Sequence, residues 1–258
     1  MRRLVLALCL LFSAGCGRDS VALTPTTSTT SSPPSTTTLT PTTTTTTAPV
    51  TTVPSTTVPS TTTPSTQPPD PVFTSSVRGT DTGELGVSWR EGCPVGADEL
   101  RWVELAHWND EGEATTGVLV IHADHVDDVI AVFEQLFDAR FPVESMRPIT
   151  DFDGDDNASM RANNSSAFNC RMIDGTSTWS QHAYGGAIDI NPLVNPWIRG
   201  DQVDPPEGAE YVDRTRTDVA GLIVAGDVVT EAFASVGWGW GGDWNNALDY
   251  QHFSHNGR

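Results

Sequence analysis

Strand and helix signatures mixed without regular alternation predict an α+β fold and argue against a parallel sheet. Three observations carry this. Two adjacent apolar runs near residues 100–121 have strand character. A helical stripe follows them at 124–139. Short strand and helix signals then recur in no fixed order to the end of the chain.

The 258 residues divide into three parts. Met1-Arg2-Arg3, an apolar run from Leu4 to Phe12 and Ser13-Ala14-Gly15-Cys16 read as an export signal. The run is far shorter than the roughly 20 residues that span a bilayer. Its small residues ending in Cys16 resemble a bacterial lipobox. That resemblance implies cleavage after residue 15, a lipid on the Cys16 sulfur, and a protein held at the outer face of the cell membrane. An ordinary signal peptide with a chance cysteine is the rival reading. Residues 16–72 are rich in Thr, Ser and Pro, with Val-Pro-Ser-Thr-Thr repeated at 53–57 and 58–62. Such a tract cannot bury enough apolar surface to offset its ordering entropy, so a disordered stalk is expected. Residues 73–258 suit one domain with its own core.

The formal net charge of −19 argues against nucleic acid as a partner, because phosphate binding needs clustered Lys and Arg. We expect a monomer. With Cys9 in the signal and Cys16 lipidated, Cys93 and Cys170 remain. Leftover cysteines of an exported protein usually pair, so a Cys93–Cys170 disulfide is expected, a buried thiol being the alternative.

Leu100 to Trp108 reads as a strand, Asp110-Glu111-Gly112-Glu113 as a turn, and Val118 to Ile121 as a more buried strand. Asp124 is expected to cap a helix running to about Ala139. Val126, Val129, Ile130, Phe133, Leu136 and Phe137 form its apolar face, and Phe141-Pro142 its stop. Val143 to Met146 is a further strand. Asp151 to Asp156 has the alternating carboxylates of a calcium loop. However, Asp156 stands where Gly is wanted and Ala162 where Glu is wanted, so it reads as a solvated loop. Ile188 to Ile190 is a buried strand, and residues 193–217 are loop-like. A helix is expected from about Gly226 to Ser235, a Gly/Trp loop at 237–244, and a last strand from Tyr250 to Ser254.

The chemistry lies in two places. Ser180-Gln181-His182-Ala183-Tyr184-Gly185-Gly186-Ala187-Ile188-Asp189 sets a His and an Asp seven positions apart across a Gly pair. Asp249-Tyr250-Gln251-His252 sets a carboxylate three positions before a second His. On one straight strand His182 and Asp189 would face opposite ways, so the chain must bend between them, and Gly185-Gly186 is where it can. Two imidazoles and one carboxylate are a sufficient protein ligand set for a catalytic zinc with one position open, and the other carboxylate could act as base. His107, His122, His125 and His255 lack a partner motif and read as surface or core residues. Trp238, Trp240 and Trp244 read more readily as core than as groove lining. No His-Glu-x-x-His run is present.

The pattern Ser180-x-His182-x-x-Gly185-x-Ala187-x-Asp189 followed by Asp249-x-x-His252 resembles the signature of the zinc peptidases of family M15. These are the D-alanyl-D-alanine carboxypeptidases and dipeptidases of bacterial cell walls and the related L-alanyl-D-glutamate endopeptidases. The resemblance runs from about Cys93 to Ser254. It implies a small α+β domain with a central antiparallel sheet flanked by helices. It implies that His182, Asp189 and His252 hold Zn2+, that Asp249 is the general base, and that the substrate is the peptidoglycan stem peptide. Family members use an Arg upstream of the first motif, which implies Arg171 for the developing oxyanion, with Arg161 as the competing alignment. Ser180 is expected to support the ligands by a hydrogen bond. Many members carry Glu before the last His, whereas Asp249 is common in the endopeptidase branch. A zinc-holding wall-binding module without catalysis is the alternative from another class.

Overall fold

The computed structural model describes residues 70–258. The expected signal at 1–15, lipidation at Cys16 and all but the end of the stalk at 16–72 lie outside the described residues.

Strand β1 (Ser75–Gly79) and a short helix α1 (Thr82–Leu85) precede the long hairpin of β2 (Leu100–Trp108) and β3 (Ala114–His122). Helix α2 covers Val126–Asp138. Strand β4 (Ser145–Met146), helix α3 (Asp156–Arg161) and strand β5 (Asn164–Ser165) follow. Next come β6 (Ala187–Asp189), β7 (Trp197–Arg199) and β8 (Gln202–Asp204). Helix α4 (Val228–Ser235), β9 (Gly239–Trp240), β10 (Leu248–Asp249) and β11 (His252–Ser254) complete the chain.

The α+β reading holds, but the expected central antiparallel sheet is divided. Three antiparallel sheets are ordered β1-β2-β3, β10-β7-β8 and β6-β11-β9, and β4 pairs with β5 in parallel. The strands beyond residue 140 are only two or three residues long, so no single sheet can extend through them.

The β2–β3 hairpin exists because both strands carry apolar residues on one face. Leu100 pairs with His122 and Trp108 with Ala114, and Asn109 Oδ1 closes the turn by accepting from Glu113 N–H at 2.8 Å. Val103, Leu105, Leu119 and Ile121 pack against Val129, Val132, Phe133 and Leu136 of α2. Ile188, Phe233, Trp240 and Phe253 join the same core, so the first sheet and the β6–β11–β9 sheet share one hydrophobic interior. The stacking of Phe233 on Phe253, with ring centroids 4.1 Å apart, fixes α4 over β11.

Three expectations need correction. Asp124 does not cap α2. It lies inside a 3-10 turn, Ala123–His125, and donates its own N–H to His122 Nδ1 at 3.2 Å; the α-helix starts at Val126 without a side-chain cap. The helix ends by a Schellman closure, with Phe141 N–H on Leu136 O at 2.9 Å and Arg140 at φ 54°. The acidic stretch is not wholly a solvated loop, since Asp155 caps α3 by accepting from Ala158 N–H. Residues 193–217 contain the β7–β8 hairpin and a 3-10 turn, Pro206–Tyr211. Arg214 holds this stretch together, donating to the carbonyls of Val194 (2.8 Å), Tyr211 (3.0 Å) and Ile223 (2.6 Å) and lying over the Tyr250 ring. Strands this short leave no periodic signal, and one half-buried arginine ties their loops together.

Cys93 and Cys170 form the expected disulfide, with Cα atoms 5.9 Å apart. It closes a loop of 77 positions and packs with Leu85, Val95, Leu100, Val120 and Phe168 in a second apolar cluster. Replacing both cysteines with serine is expected to cost about 2–5 kcal/mol of stability, read from urea unfolding without reductant.

Candidate metal centre

Register brings Asp189 and His252 together. They are directly opposed Cα partners on antiparallel β6 and β11, so their side chains leave the same face. The neighbouring pair, Ile188 and Phe253, is buried in the core on the other face. His182 joins them from a 3-10 turn, Gln181–Tyr184. Ser180 Oγ caps that turn by accepting from His182 N–H at 3.3 Å. Gly185 ends it at φ 65°, and a Cβ there would stand 2.7 Å from the His122 backbone nitrogen. The expected bend at the Gly pair is therefore required both by backbone angle and by close approach. A two-residue turn, Tyr250-Gln251, separates β10 with Asp249 from β11 with His252.

The three side chains are all buried. His182 Nε2 lies 3.2 Å from Asp189 Oδ2 and 3.3 Å from His252 Nδ1, and His252 Nδ1 lies 3.0 Å from Asp189 Oδ1. The outer nitrogens determine what these atoms are. His182 Nδ1 is 2.6 Å from the Ala167 carbonyl oxygen, which can only accept, so Nδ1 carries the proton. His252 Nε2 is 3.2 Å from the Arg258 carbonyl oxygen, so Nε2 carries the proton there. When both rings are neutral, two imidazole lone pairs and a carboxylate converge with no hydrogen between them. Such a set is electrostatically unfavourable unless a cation sits within it. Two neutral imidazoles and one carboxylate, each ring oriented by an outer carbonyl, suit zinc. The fit is thus supported by the donor set itself.

Without a cation the same proximity instead draws a proton into the set, at the place a metal ion would take. Burial opposes ionisation of Asp189, but the His182 and His252 rings outweigh it and hold the carboxyl well below the usual range. Burial also lowers the tendency of His252 to protonate, yet its bond to Asp189 more than compensates and raises it overall. Asp249 behaves oppositely. Burial, with the Asp189 charge adding to it, pushes its carboxyl up to about 7 against the opposing effect of His252. Its Oδ1 is buried and makes no hydrogen bond among the described residues. An unpartnered buried carboxylate oxygen beside a cation set is poised to take a proton.

Arg171 is ion-paired with Asp156 of α3 at 2.8 Å, and its charge favours the ionised form of Asp249. Its Nε is buried without a partner among the described residues. Arg161 ends α3 and is exposed. Trp238 and Trp240 belong to the core, whereas half-buried Trp244 sets its ring 5.3 Å from that of His252. The residues that orient the imidazoles, Ala167 and Arg258, act through backbone carbonyls and leave no sequence signal. His107 is buried, as expected for a core residue, but His122, His125 and His255 form a cluster, with His125 and His255 against the Gly186 backbone.

Ser180 supports His182 through its backbone, not through its ring. Ser180→Ala is accordingly expected to weaken zinc binding by about 10-fold, the lower end for a supporting partner, and to remove about 1 kcal/mol of stability. Competition with a chromophoric chelator and thermal unfolding check the two effects.

The buried His–Asp–His set could hold a metal ion, and comparison with known proteins bears on the segment that carries it. A family described as D-alanyl-D-alanine carboxypeptidase matches residues 174–255. The resemblance to peptidase family M15 therefore holds over the segment that carries all three candidate ligands and Asp249. The matched segment begins at Asp174, and so excludes Cys93 and Arg171 from the longer stretch over which the motifs suggested likeness. No curated protein and no solved structure matches the chain.

Proposed function

We propose that this chain is a zinc-dependent peptidase that hydrolyses peptide bonds in peptidoglycan stem peptides. The observation that carries the reading is the convergence of His182 Nε2, His252 Nδ1 and the Asp189 carboxylate, all three within 4.8 Å of one another, beside Asp249, whose Oδ1 has no partner among the described residues. A zinc ion held by these residues would acidify a water and polarise the scissile carbonyl. Asp249 takes a proton from the attacking water and returns it to the leaving amine. Its raised affinity for protons suits both halves of that transfer near neutral pH. Arg171 brings positive charge to the developing oxyanion, and its pairing with Asp156 fixes the guanidinium. The Ala167 and Arg258 carbonyls keep the imidazole lone pairs turned inward throughout.

The description of the matching family favours the terminal D-Ala–D-Ala bond, while Asp249 in place of Glu favours the internal L-Ala–D-Glu bond. Export and tethering through Cys16 would bring the enzyme to this substrate at the outer face of the membrane. Incubation of the zinc-loaded chain with defined muropeptides, with and without a chelator, tests the proposal. Chelator-sensitive release of D-Ala is expected from a carboxypeptidase, and cleavage after L-Ala from an endopeptidase. Zinc binding without cleavage of any stem peptide would instead identify a non-catalytic wall-binding module.

A further inference from the structure

Strand register extends the sheet face that carries Asp249. Asp249 of β10 is the Cα partner of Trp197 on β7, and Trp197 is in turn the partner of Asp204 on β8, both pairs antiparallel. Directly opposed residues send their side chains to the same face of a sheet. Asp249, Trp197 and Asp204 therefore form one row, with Asp204 two strand spacings, about 10 Å, from Asp249. The adjacent row, Leu248, Ile198 and Val203, is apolar and takes the opposite face. The sheet thus has an apolar side and a side that begins at the proposed base. Arg199 and Gln202 continue that second side but are exposed at the hairpin tip.

Trp197 differs from the other tryptophans of the domain. Trp89, Trp108, Trp238, Trp240 and Trp244 donate their indole N–H to backbone or carboxylate oxygens. Trp102 and Trp179 pack in the second apolar cluster beside Arg78 and Arg90. Trp197 does neither among the described residues, belongs to no apolar cluster and is only half-buried. Asp204 is also half-buried and makes no hydrogen bond or ion pair among the described residues. Burial raises its carboxyl above the ordinary value, Asp156 and Asp174 add to this, and Arg171 and Arg161 oppose it without prevailing. Arg171 is already paired with Asp156 at 2.8 Å. The row therefore offers a flat ring next to the base and, one strand further, a carboxylate without a cation.

We propose that Trp197 and Asp204 determine specificity by receiving the diamino-acid residue of a stem peptide, Trp197 along its methylene chain and Asp204 at its free side-chain ammonium. The inference rests on the peptidase reading and names the part of the substrate that this face selects. In the stem peptide the diamino acid stands between the two candidate bonds, and one residue separates it from either. Two extended residues cover about 7 Å, and the side chain supplies the rest of the roughly 10 Å between Asp249 and Asp204. Acylation of the amine removes its charge, so the site favours stem peptides in which it is free.

The test gives the zinc-loaded full chain two soluble stem peptides that differ only in whether that amine is free or acetylated. The wild type is expected to cleave the free-amine peptide with a KM about tenfold lower, the lower end for one charge-assisted hydrogen bond, and with kcat within about twofold. Asp204→Asn, which has the same shape, should erase the difference by raising KM for the free-amine peptide alone. Trp197→Ala should raise KM for both peptides, and Trp197→Phe, which keeps a flat ring, should restore most of it. Calorimetric binding of the same peptides to the metal-free chain reads the preference without turnover. A wild type that cleaves both peptides without preference, or an Asp204→Asn variant that keeps the preference, would overturn the proposal and leave the peptidase reading standing. An unchanged KM in Trp197→Ala would remove Trp197 from the site. Preferential binding that Asp204→Asn abolishes, with no cleavage of either peptide, would support the site and overturn the peptidase reading. A wild type that neither binds nor cleaves either peptide would overturn both.

Discussion

His182→Ala, prepared metal-free and titrated with zinc, is expected to lose more than 100-fold in affinity at the first centre, and stem-peptide hydrolysis should fall to background. The figure exceeds the roughly 10–100-fold typical of residues that only support a ligand, because one of three protein donors is removed outright. The geometry also predicts why neighbouring groups will not compensate. His252 Nδ1 and Asp189 are held by strand pairing and by the Arg258 carbonyl, and so cannot move to complete the set. The result can be checked by chelator competition and by mass spectrometry of the native protein. Retention of tight zinc binding by a variant that still folds would remove His182 from the centre.

Asp249→Ala should separate metal from turnover. Its Oδ1 makes no hydrogen bond among the described residues and its carboxylate is not among the converging donors, so zinc affinity should change little. The turnover rate should fall by about 10²–10⁴, the range for loss of a positioned acid–base group. Unchanged turnover would exclude it as the base. Asp249 also makes a prediction about stability in the metal-free protein. Its folded pKa is raised to about 7, above the ordinary carboxyl value. The native state therefore binds a proton more tightly than the unfolded chain does. This group's contribution is fully present below the unfolded pKa and is lost as pH rises through about 7. Asp249→Asn removes that loss. The stability of the variant relative to wild type should thus increase between pH 4 and pH 8, by on the order of a few kcal/mol. Parallel urea titrations at several pH values, in the presence of chelator, would show it. A flat difference across the range would contradict the burial of an unpartnered carboxyl at this position.

Much of the first centre was legible in the chain because its spacing is a geometric demand. The seven-position gap needed a bend, and only the Gly pair could supply it. The fold was legible wherever elements were long, as in β2, β3 and α2, whose apolar residues repeat often enough to reveal their period. It was not legible in the strands of two or three residues after β6. The hairpin at 197–204 pairs through Trp197 and Ile198 with Asp249 and Leu248, partners far along the chain that no local pattern encodes. The helix start at Val126 differed from expectation because His122, not Asp124, supplied the first side-chain acceptor.

The sequence alone determined the candidate ligands, the candidate base by its distance from His252, the paired cysteines and the α+β class, since each depends on residue type and separation along the chain. Only the tertiary structure decided which imidazole nitrogens face inward, that Arg171 pairs with Asp156, and that His125 and His255 meet. Those outcomes depend on backbone carbonyls and on the stacking of segments far apart in the chain, and neither leaves a mark in the order of side chains.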